Sequence, residues 1–396
     1  MMSQLDRYIA RHVIAASGLV LFVLIALRAM FAMLQESNSI GKGSYQMADA
    51  FLYVALILPQ KFLEVFPMGV LIGALFGLGT LASNNELTVM RAAGVTTWRI
   101  AGSALKASII LMIFALLLSE VVAPVASKSA QQLRTAALSD GKITRSENGL
   151  WAKNRVLDEA VIAANKSNQN SLGQSSSAAE NLSTNYSEAD NQIIHIESIH
   201  KSGKMTNVSL YQIDKEFRLV KLTESRSASY INNEWFLFDV TETSFRFESS
   251  SQPAQISKNH YKKLKWENPL DQDNIDTLTL KHETLNINGL MKFENYLSSN
   301  LLDSAEVELS IWQKLLMPIS VAIMMFLATS FVFGPMRDVS MGARILSGIL
   351  LGFGFHLAKQ SFGPISLIYD VSPFIGAIIP LVGFTGLAVW LMRRSG

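Results

Sequence analysis

The sequence has no cysteine and little charge. Asp, Glu, Lys and Arg together make up 17% of its 396 residues, against about 25% in an ordinary soluble domain. Without cysteine the chain can form no disulfide, no thiolate metal site and no cysteine nucleophile. The net charge of +2 is too small for a nucleic-acid-binding surface, so no nucleic acid partner is expected. Hydrophobic residues reach 49%, and this excess indicates a membrane protein.

The hydrophobic residues are concentrated in six long runs. Each run is long enough to cross about 30 Å of hydrocarbon, which takes about 20 residues. We therefore predict an α-helical integral membrane protein with six transmembrane helices, three within residues 1–122 and three within residues 307–396. The runs are Val13–Leu34, Ala50–Ala82, Ile100–Val122, Ile311–Phe333, Ile345–Phe362 and Val371–Met392.

Lys and Arg are unevenly distributed between the two ends of these runs. Pairs of arginines flank the N-terminus, the second loop, the fourth-to-fifth loop and the C-terminus, whereas the first outer loop holds only Lys42. The positive-inside rule then places both termini in the cytoplasm. Because the absence of cysteine favours a bacterial envelope protein, we expect a multi-pass protein of the inner (cytoplasmic) membrane with its large insert in the periplasm.

The insert between the third and fourth runs, about residues 123–306, has a different pattern. Short stretches of alternating hydrophobicity predict an all-β domain of antiparallel strands, a sandwich or jelly-roll. Trp235–Val240 is expected to pair with Ser229–Ile231 across a turn at Asn232–Asn233. Residues 164–191 are rich in Ser and Asn, which is typical of a mobile loop.

Motifs for chemistry are absent from the sequence. No Gly-Lys pair has the context of a phosphate-binding loop, and no Gly-x-Ser-x-Gly nucleophile motif occurs. The six histidines form no helical pair with metal-ligand spacing. We expect no catalytic residue, metal site or bound cofactor in this chain, so active transport would need energy from a partner or from an ion gradient.

The second cytoplasmic loop, about residues 84–95, predicts a short amphipathic helix. Glu86 suits its first turn and Gly94 can end it. Leu87, Met90 and Arg91 fall on one face at spacings of three and four. Such a helix between two spans resembles the coupling helix of an ABC permease, which binds a separate ATPase subunit. A plain helical turn that joins the spans is the alternative.

Charged residues within the first two runs suggest a second site. These are Arg28, Lys61 and Glu64, and the insertion of such charges into hydrocarbon costs free energy. They form either a satisfied ion pair with an interfacial anchor or the polar wall of a water-filled cavity. In the cavity interpretation, these residues bind a lipid headgroup together with Lys42 and Arg134. Three apolar residues then contact acyl chains around or below it: Phe31, Phe66 and Leu71.

Glycines recur every fourth residue in the second run, at Gly69, Gly73 and Gly77, and in the fifth, at Gly348 and Gly352. This spacing places small residues on one helix face and predicts tight helix packing. A role of the same faces in gating remains an alternative.

Several motifs together resemble the lipopolysaccharide-export permease family LptF/LptG, with the G branch the more similar. Three features favour the G branch: Gly43-Ser44-Tyr45, the Gly149–Lys153 run, and Trp312 with Lys314. The motifs that carry the family resemblance are Leu5–Ile9, Phe66-Pro67-Met68, the loop Asn85–Gly94, Gly149-Leu150-Trp151-Ala152-Lys153, Phe333–Arg337 and Phe362-Gly363-Pro364.

The resemblance implies a non-catalytic permease subunit of an ABC transporter that extracts lipopolysaccharide from the outer leaflet of the inner membrane. It implies a sister permease, LptF, around a shared cavity, an ATPase dimer, LptB, on the coupling helices, and LptC, which continues a periplasmic bridge of β-domains. One departure concerns the end of the first run, where relatives can carry a lysine cluster and this chain has Ala32–Ser39.

Without the family resemblance, the residues also allow two other classes of protein. A membrane-anchored lipid-modifying enzyme would need a concentrated set of acid, base or nucleophile residues at the outer end of a span. An envelope scaffold with a periplasmic β-domain would need neither an amphipathic cytoplasmic helix nor charges within the second run.

Overall fold

A computed structural model describes residues 3–138, 142–143, 149–155, 191–200, 204–214, 216–231, 234–246, 255–266, 282–333 and 340–395. The expected loop at 164–191 and turn at Asn232–Asn233 lie outside these residues, apart from Asn191. The chain divides into two compact units. The helical unit comprises Met1–Arg134, Lys281–Ser298 and Asp303–Gly396, and the sheet unit comprises Thr135–Leu280 and Ser299–Leu302.

Ten α-helices lie in the described parts of the chain. Before the insert they are α1 (Gln4–Ser37), α2 (Met47–Ser83), α3 (Glu86–Ala92), α4 (Thr97–Leu117) and α5 (Ala123–Leu138), the last two joined by a π-helical turn at Leu118–Val122. After the insert they are α6 (Ile287–Ser299), α7 (Ala305–Leu315), α8 (Met317–Phe333), α9 (Met341–Ile368) and α10 (Pro373–Ser395), preceded by a 3-10 turn at His282–Thr284.

Several of these helices are long and apolar enough to cross a membrane. Within the described residues, α1, α2, the α4–α5 segment and α10 meet that standard, and α7 with α8, bent by 48°, adds a fifth span if the pair counts as one. The 28-residue α9 is not among them, because His356 and Lys359 interrupt its apolar sequence. The structure thus supports a multi-pass membrane protein, while the count of six spans stays a prediction.

The third predicted span does not end at Val122, because its helical segment continues through Pro124 to Leu138. An α-helix at this point would leave the carbonyl of residue 120 without its donor, because proline has no N–H. The π-helical turn immediately before Pro124, closed by the Ala123 N–H on the Leu118 carbonyl, changes the hydrogen-bond pattern there. Residues 123–134, assigned to the insert in the sequence analysis, therefore belong to the helical unit.

Helix α2 forms the centre of the helical unit and packs against α1, α8 and α9. Its glycines allow these approaches: a Cβ on Gly73 would lie 2.2 Å from the Ser17 Cα, and one on Gly352 would lie 2.5 Å from the Met68 side chain. The predicted tight packing of both glycine faces is confirmed. The helix is continuous through Pro59 and Pro67.

The sheet unit is built on antiparallel strands, and the described ones are β1 (Lys142–Ile143), β2 (Leu150–Arg155), β3 (Asn191–His200), β4 (Met205–Ile213), β5 (Leu219–Ile231), β6 (Glu234–Arg246) and β7 (Gln255–Lys265). Their order in the sheet is β1-β3-β4-β5-β6-β7, with β2 also paired to β3. Alternate side chains such as Ile194, Ile196 and Val208 are completely buried, which explains the alternating sequence pattern. Tyr230 pairs with Trp235, so the predicted hairpin is confirmed.

Candidate functional site

The short helix α3 begins at Glu86 and ends just before Gly94, as predicted, with Asn85 at its N-terminal boundary and no side-chain capping bond there. Its C-terminus is a Schellman motif: the Gly94 N–H donates to the Arg91 carbonyl and the Val95 N–H donates to the Met90 carbonyl, each at 3.0 Å. Gly94 has φ +91°, a left-handed conformation that other residues adopt at a cost. At the other end Asn85 is also left-handed, with φ +62°.

The side chains of α3 divide between the interior and the surface. Leu87 is buried among the core residues of the helical unit, and Met90 packs partly against them. Arg91 is exposed, as is Val89, with 66% of its surface accessible. Leu87 therefore holds the helix on the protein, and the exposed residues form the surface that a partner can contact. The Glu86 carboxylate, at the start of the helix, accepts a hydrogen bond from the Tyr8 hydroxyl at 2.6 Å.

At membrane depth, Arg28, Lys61 and Glu64 come together as one cluster. The Lys61 Nζ lies 2.7 Å from Glu64 Oε1, and the Arg28 guanidinium lies 3.7 Å from Glu64 Oε2. About a third of each side chain is accessible to solvent. A partly exposed ionic cluster on helices long and apolar enough to cross a membrane is costly in hydrocarbon, so this surface is suited to a water-filled cavity. The structure thus places three of the predicted cavity residues side by side.

Helix α9 contributes two further residues to this cluster that the sequence analysis did not assign to it. His356 lies within electrostatic range of Arg28, Lys359 and Glu64, and Lys359 within range of Glu64. Helix packing explains this placement: Gly348 packs on Leu75 and Gly352 on Met68, so the next turns of α9 meet the Glu64 region of α2. Apart from the imidazole, the cluster contains three basic side chains, Arg28, Lys61 and Lys359, and one carboxylate, Glu64.

The three apolar residues predicted for the cavity do not share one environment. Phe31 is 55% exposed and can contact an acyl chain. Phe66 and Leu71 have no exposed surface, because both lie in the core between α2 and its neighbours. Their assignment as cavity walls is therefore wrong for this chain's fold.

Arg134 and Lys42 differ in their surroundings. The Arg134 Nε donates to Glu36 Oε1 at 2.7 Å and a terminal nitrogen donates to the Ser39 hydroxyl at 3.3 Å. Nearby, burial and the Glu36 carboxylate raise the pKa of Tyr45 well above its usual value. Lys42 is exposed in the turn between α1 and α2. The charge of Arg134 is thus compensated within the protein, while Lys42 remains accessible.

Comparison with known proteins covers the whole chain. Residues 7–394 match the lipopolysaccharide export system permease family LptF/LptG. The chain belongs to this family. The permease protein LptG of Escherichia coli strain K12 is 31% identical over 393 residues, which span 99% of this chain and 98% of that protein. LptG of Haemophilus influenzae is 30% identical over 397 residues, 100% of this chain and 99% of that protein. The resemblance, including the closer likeness to the G branch, is confirmed.

Lys314 on α7 is one of the residues that carry the likeness to the LptF/LptG family, and it connects two segments of the helical unit. Its Nζ lies 3.2 Å from Glu120 Oε1, in the π-helical turn, and donates to the Leu285 carbonyl at 2.7 Å. Glu120 also accepts the N–H of Ile287 at 3.1 Å. The pair therefore joins the third span to the segment that leads from the insert back into the membrane.

Proposed function

We propose that this chain is a permease subunit that extracts lipopolysaccharide from the outer leaflet of the inner membrane and passes it to a periplasmic β-domain bridge. The observation that carries the proposal is the ionic cluster of Arg28, Lys61, Glu64, His356 and Lys359. Family membership supports the substrate, since the relatives are named as lipopolysaccharide export permeases.

The cluster has the charge that a phosphorylated lipid headgroup requires. Its excess of cations over carboxylates favours anions, and headgroup water and salt limit each exposed contact to about 1 kcal/mol. Several weak contacts suit a carrier, because a transported lipid must also leave the site. Exposed apolar side chains of α1, among them Phe22 and Phe31, offer neighbouring surface for acyl chains.

The partners follow from the same proposal. LptF would complete the cavity, an LptB dimer would hydrolyse ATP with Mg²⁺, and LptC would continue the bridge from a jelly-roll domain formed by the insert. The chain itself would bind no cofactor and catalyse no reaction. Six spans, with α9 crossing beside α2, and a periplasmic insert complete the arrangement. The surface formed by half-buried Glu86 and exposed Arg91 of α3, with Gly94 just after the helix, would contact the ATPase.

The test is purification of the full complex and measurement of the lipopolysaccharide that it retains. Arg28→Gln with Lys61→Gln should lower retention about 30-fold, because two contacts of about 1 kcal/mol each are lost. Lys204→Gln with Lys258→Gln, at two exposed residues of the sheet unit, is the charge-matched control and should retain the wild-type amount. Absence of an ATPase and of lipopolysaccharide from the wild-type preparation would refute the proposal.

A further inference from the structure

The N-terminal turns of α1 are fixed to α4 through a buried carboxylate. Asp6 has no exposed surface. Its oxygens accept hydrogen bonds from the Ser103 hydroxyl at 2.6 Å and from the Lys106 Nζ at 2.7 Å. The Ser3 N–H donates to the same carboxylate at 3.0 Å, and the Ser3 hydroxyl accepts the Asp6 N–H, which forms a capping box. The position of this end of α1 is therefore well determined.

Two residues further on, Tyr8 connects α1 to α3. Its hydroxyl donates to Glu86 Oε2 at 2.6 Å, and its ring packs against His12 with 4.5 Å between ring centroids. Tyr8 is 40% exposed, so water competes with this contact. In the described part of the chain, Tyr8 is the only hydrogen-bond donor to the Glu86 side chain. The second carboxylate oxygen, Oε1, is left available to another donor.

We propose that Tyr8 is a positioning residue for Glu86: it orients the carboxylate for a cationic or N–H donor of the ATPase and links that contact to helix α1. The inference rests on the proposed function, in which the α3 surface binds the ATPase. A carboxylate with one oxygen already bonded has fewer rotamers to lose when a partner binds its other oxygen. Because Tyr8 lies in the turns of α1 that Asp6 fixes to α4, displacement of Glu86 by the ATPase would act on α1 directly.

The experiment compares Tyr8→Phe, Glu86→Gln, the double variant and Tyr369→Phe in the complex of the full chain with LptF and LptB. Tyr8→Phe removes only the hydroxyl and keeps the ring beside His12. Tyr369 is 74% exposed in the turn after α9 and serves as the matched control. The measurements are the ATPase affinity of the membrane subunits and the ratio of ATP hydrolysis with and without lipopolysaccharide.

Tyr8→Phe should weaken ATPase affinity by about 3- to 10-fold and lower the stimulation ratio, as expected for one hydrogen bond. Glu86→Gln should weaken affinity at least as much, and the double variant should equal Glu86→Gln, because Tyr8 acts through Glu86. Additive losses, or wild-type behaviour of Tyr8→Phe beside a defective Glu86→Gln, would overturn this inference and leave the proposed function intact. Wild-type behaviour of Glu86→Gln would instead refute the coupling role of Glu86 on which the inference rests.

Discussion

The Nε of Arg134 lies 2.7 Å from Oε1 of Glu36, which joins α5 to the last turn of α1. The Glu36 side chain is 8% exposed and that of Arg134 is 38% exposed. The guanidinium also lies over the Tyr53 ring, 5.6 Å from its centroid. An arginine so engaged stabilises the outer end of the helical unit and has little charge left for a lipid phosphate.

We predict that Arg134→Gln destabilises the protein more than it weakens lipid binding. Loss of the arginine leaves the buried Glu36 carboxylate without a partner, at a cost of about 1–3 kcal/mol. The midpoint of thermal unfolding in detergent should fall, while the lipopolysaccharide retained per folded complex should stay within about twofold of wild type. Glu36→Gln with Arg134→Gln should recover part of the lost stability. Lipid loss without any loss of stability would show that Arg134 binds the headgroup.

Glu64 should weaken anion binding at the cluster, because its carboxylate partly neutralises Arg28 and Lys61. Glu64→Gln is therefore expected to raise the retention of lipopolysaccharide about fivefold and to slow its ATP-dependent release, since removal of one repulsive contact is worth about 1 kcal/mol. The gain should disappear at high salt. If Glu64→Gln lowers retention as much as Arg28→Gln does, the carboxylate positions the cations and does not oppose the anion.

The outline of α3 could be read from the sequence because its signals are local. Gly94 supplies a left-handed residue and Glu86 a first-turn carboxylate, and both depend only on neighbouring residues. The face of α3 that is buried could not be predicted from the sequence. Leu87 was grouped with Arg91 by helical spacing, yet Leu87 is buried and Arg91 exposed.

The same limit explains the apolar residues of the predicted cavity. In a soluble protein, an apolar stripe marks the buried face of a helix. In a membrane, lipid-facing and core-facing residues are both apolar, so Phe31 at 55% exposure and Phe66 at 0% have the same sequence signal. His356 was missed for a different reason, since it joins Glu64 only through the packing of α9 on α2.

We predict that Gly73→Ala disrupts the contact between α1 and α2. The new Cβ would lie 2.2 Å from the Ser17 Cα, and backbone atoms cannot yield as a flexible side chain can. Overpacking of this kind costs about 1–3 kcal/mol, so the thermal midpoint and the yield of folded protein should both fall. Gly102→Ala, in α4, is the matched control because no atom lies within 4 Å of its added Cβ. Equal stability of the two variants would contradict the close approach.

The turn between β4 and β5 should open at acid pH because of Asp214. Its carboxylate accepts the Arg218 backbone N–H at 2.8 Å and the Arg218 Nε at 2.9 Å. These bonds, the backbone bond first, hold the pKa of Asp214 below its usual value. They favour the ionised side chain in the folded state. The stabilisation is therefore complete above the unfolded pKa of about 3.9 and is lost as the pH falls through the lower folded pKa.

Hydrogen exchange of the Arg218 amide, corrected for its intrinsic rate, measures this opening. Protection should be constant near neutral pH and should fall as Asp214 becomes protonated. Asp214→Asn should show weak protection at every pH, because its amide oxygen is a poorer acceptor and does not titrate in this range. Glu216, whose carboxylate accepts a hydrogen bond from the Arg218 side chain at 2.8 Å, provides the control. Glu216→Gln should keep the wild-type pH dependence, since the backbone bond to Asp214 remains. If Glu216→Gln instead abolishes the pH dependence of protection, the side-chain ion pair, and not the bond to the backbone, determines the stability of the turn.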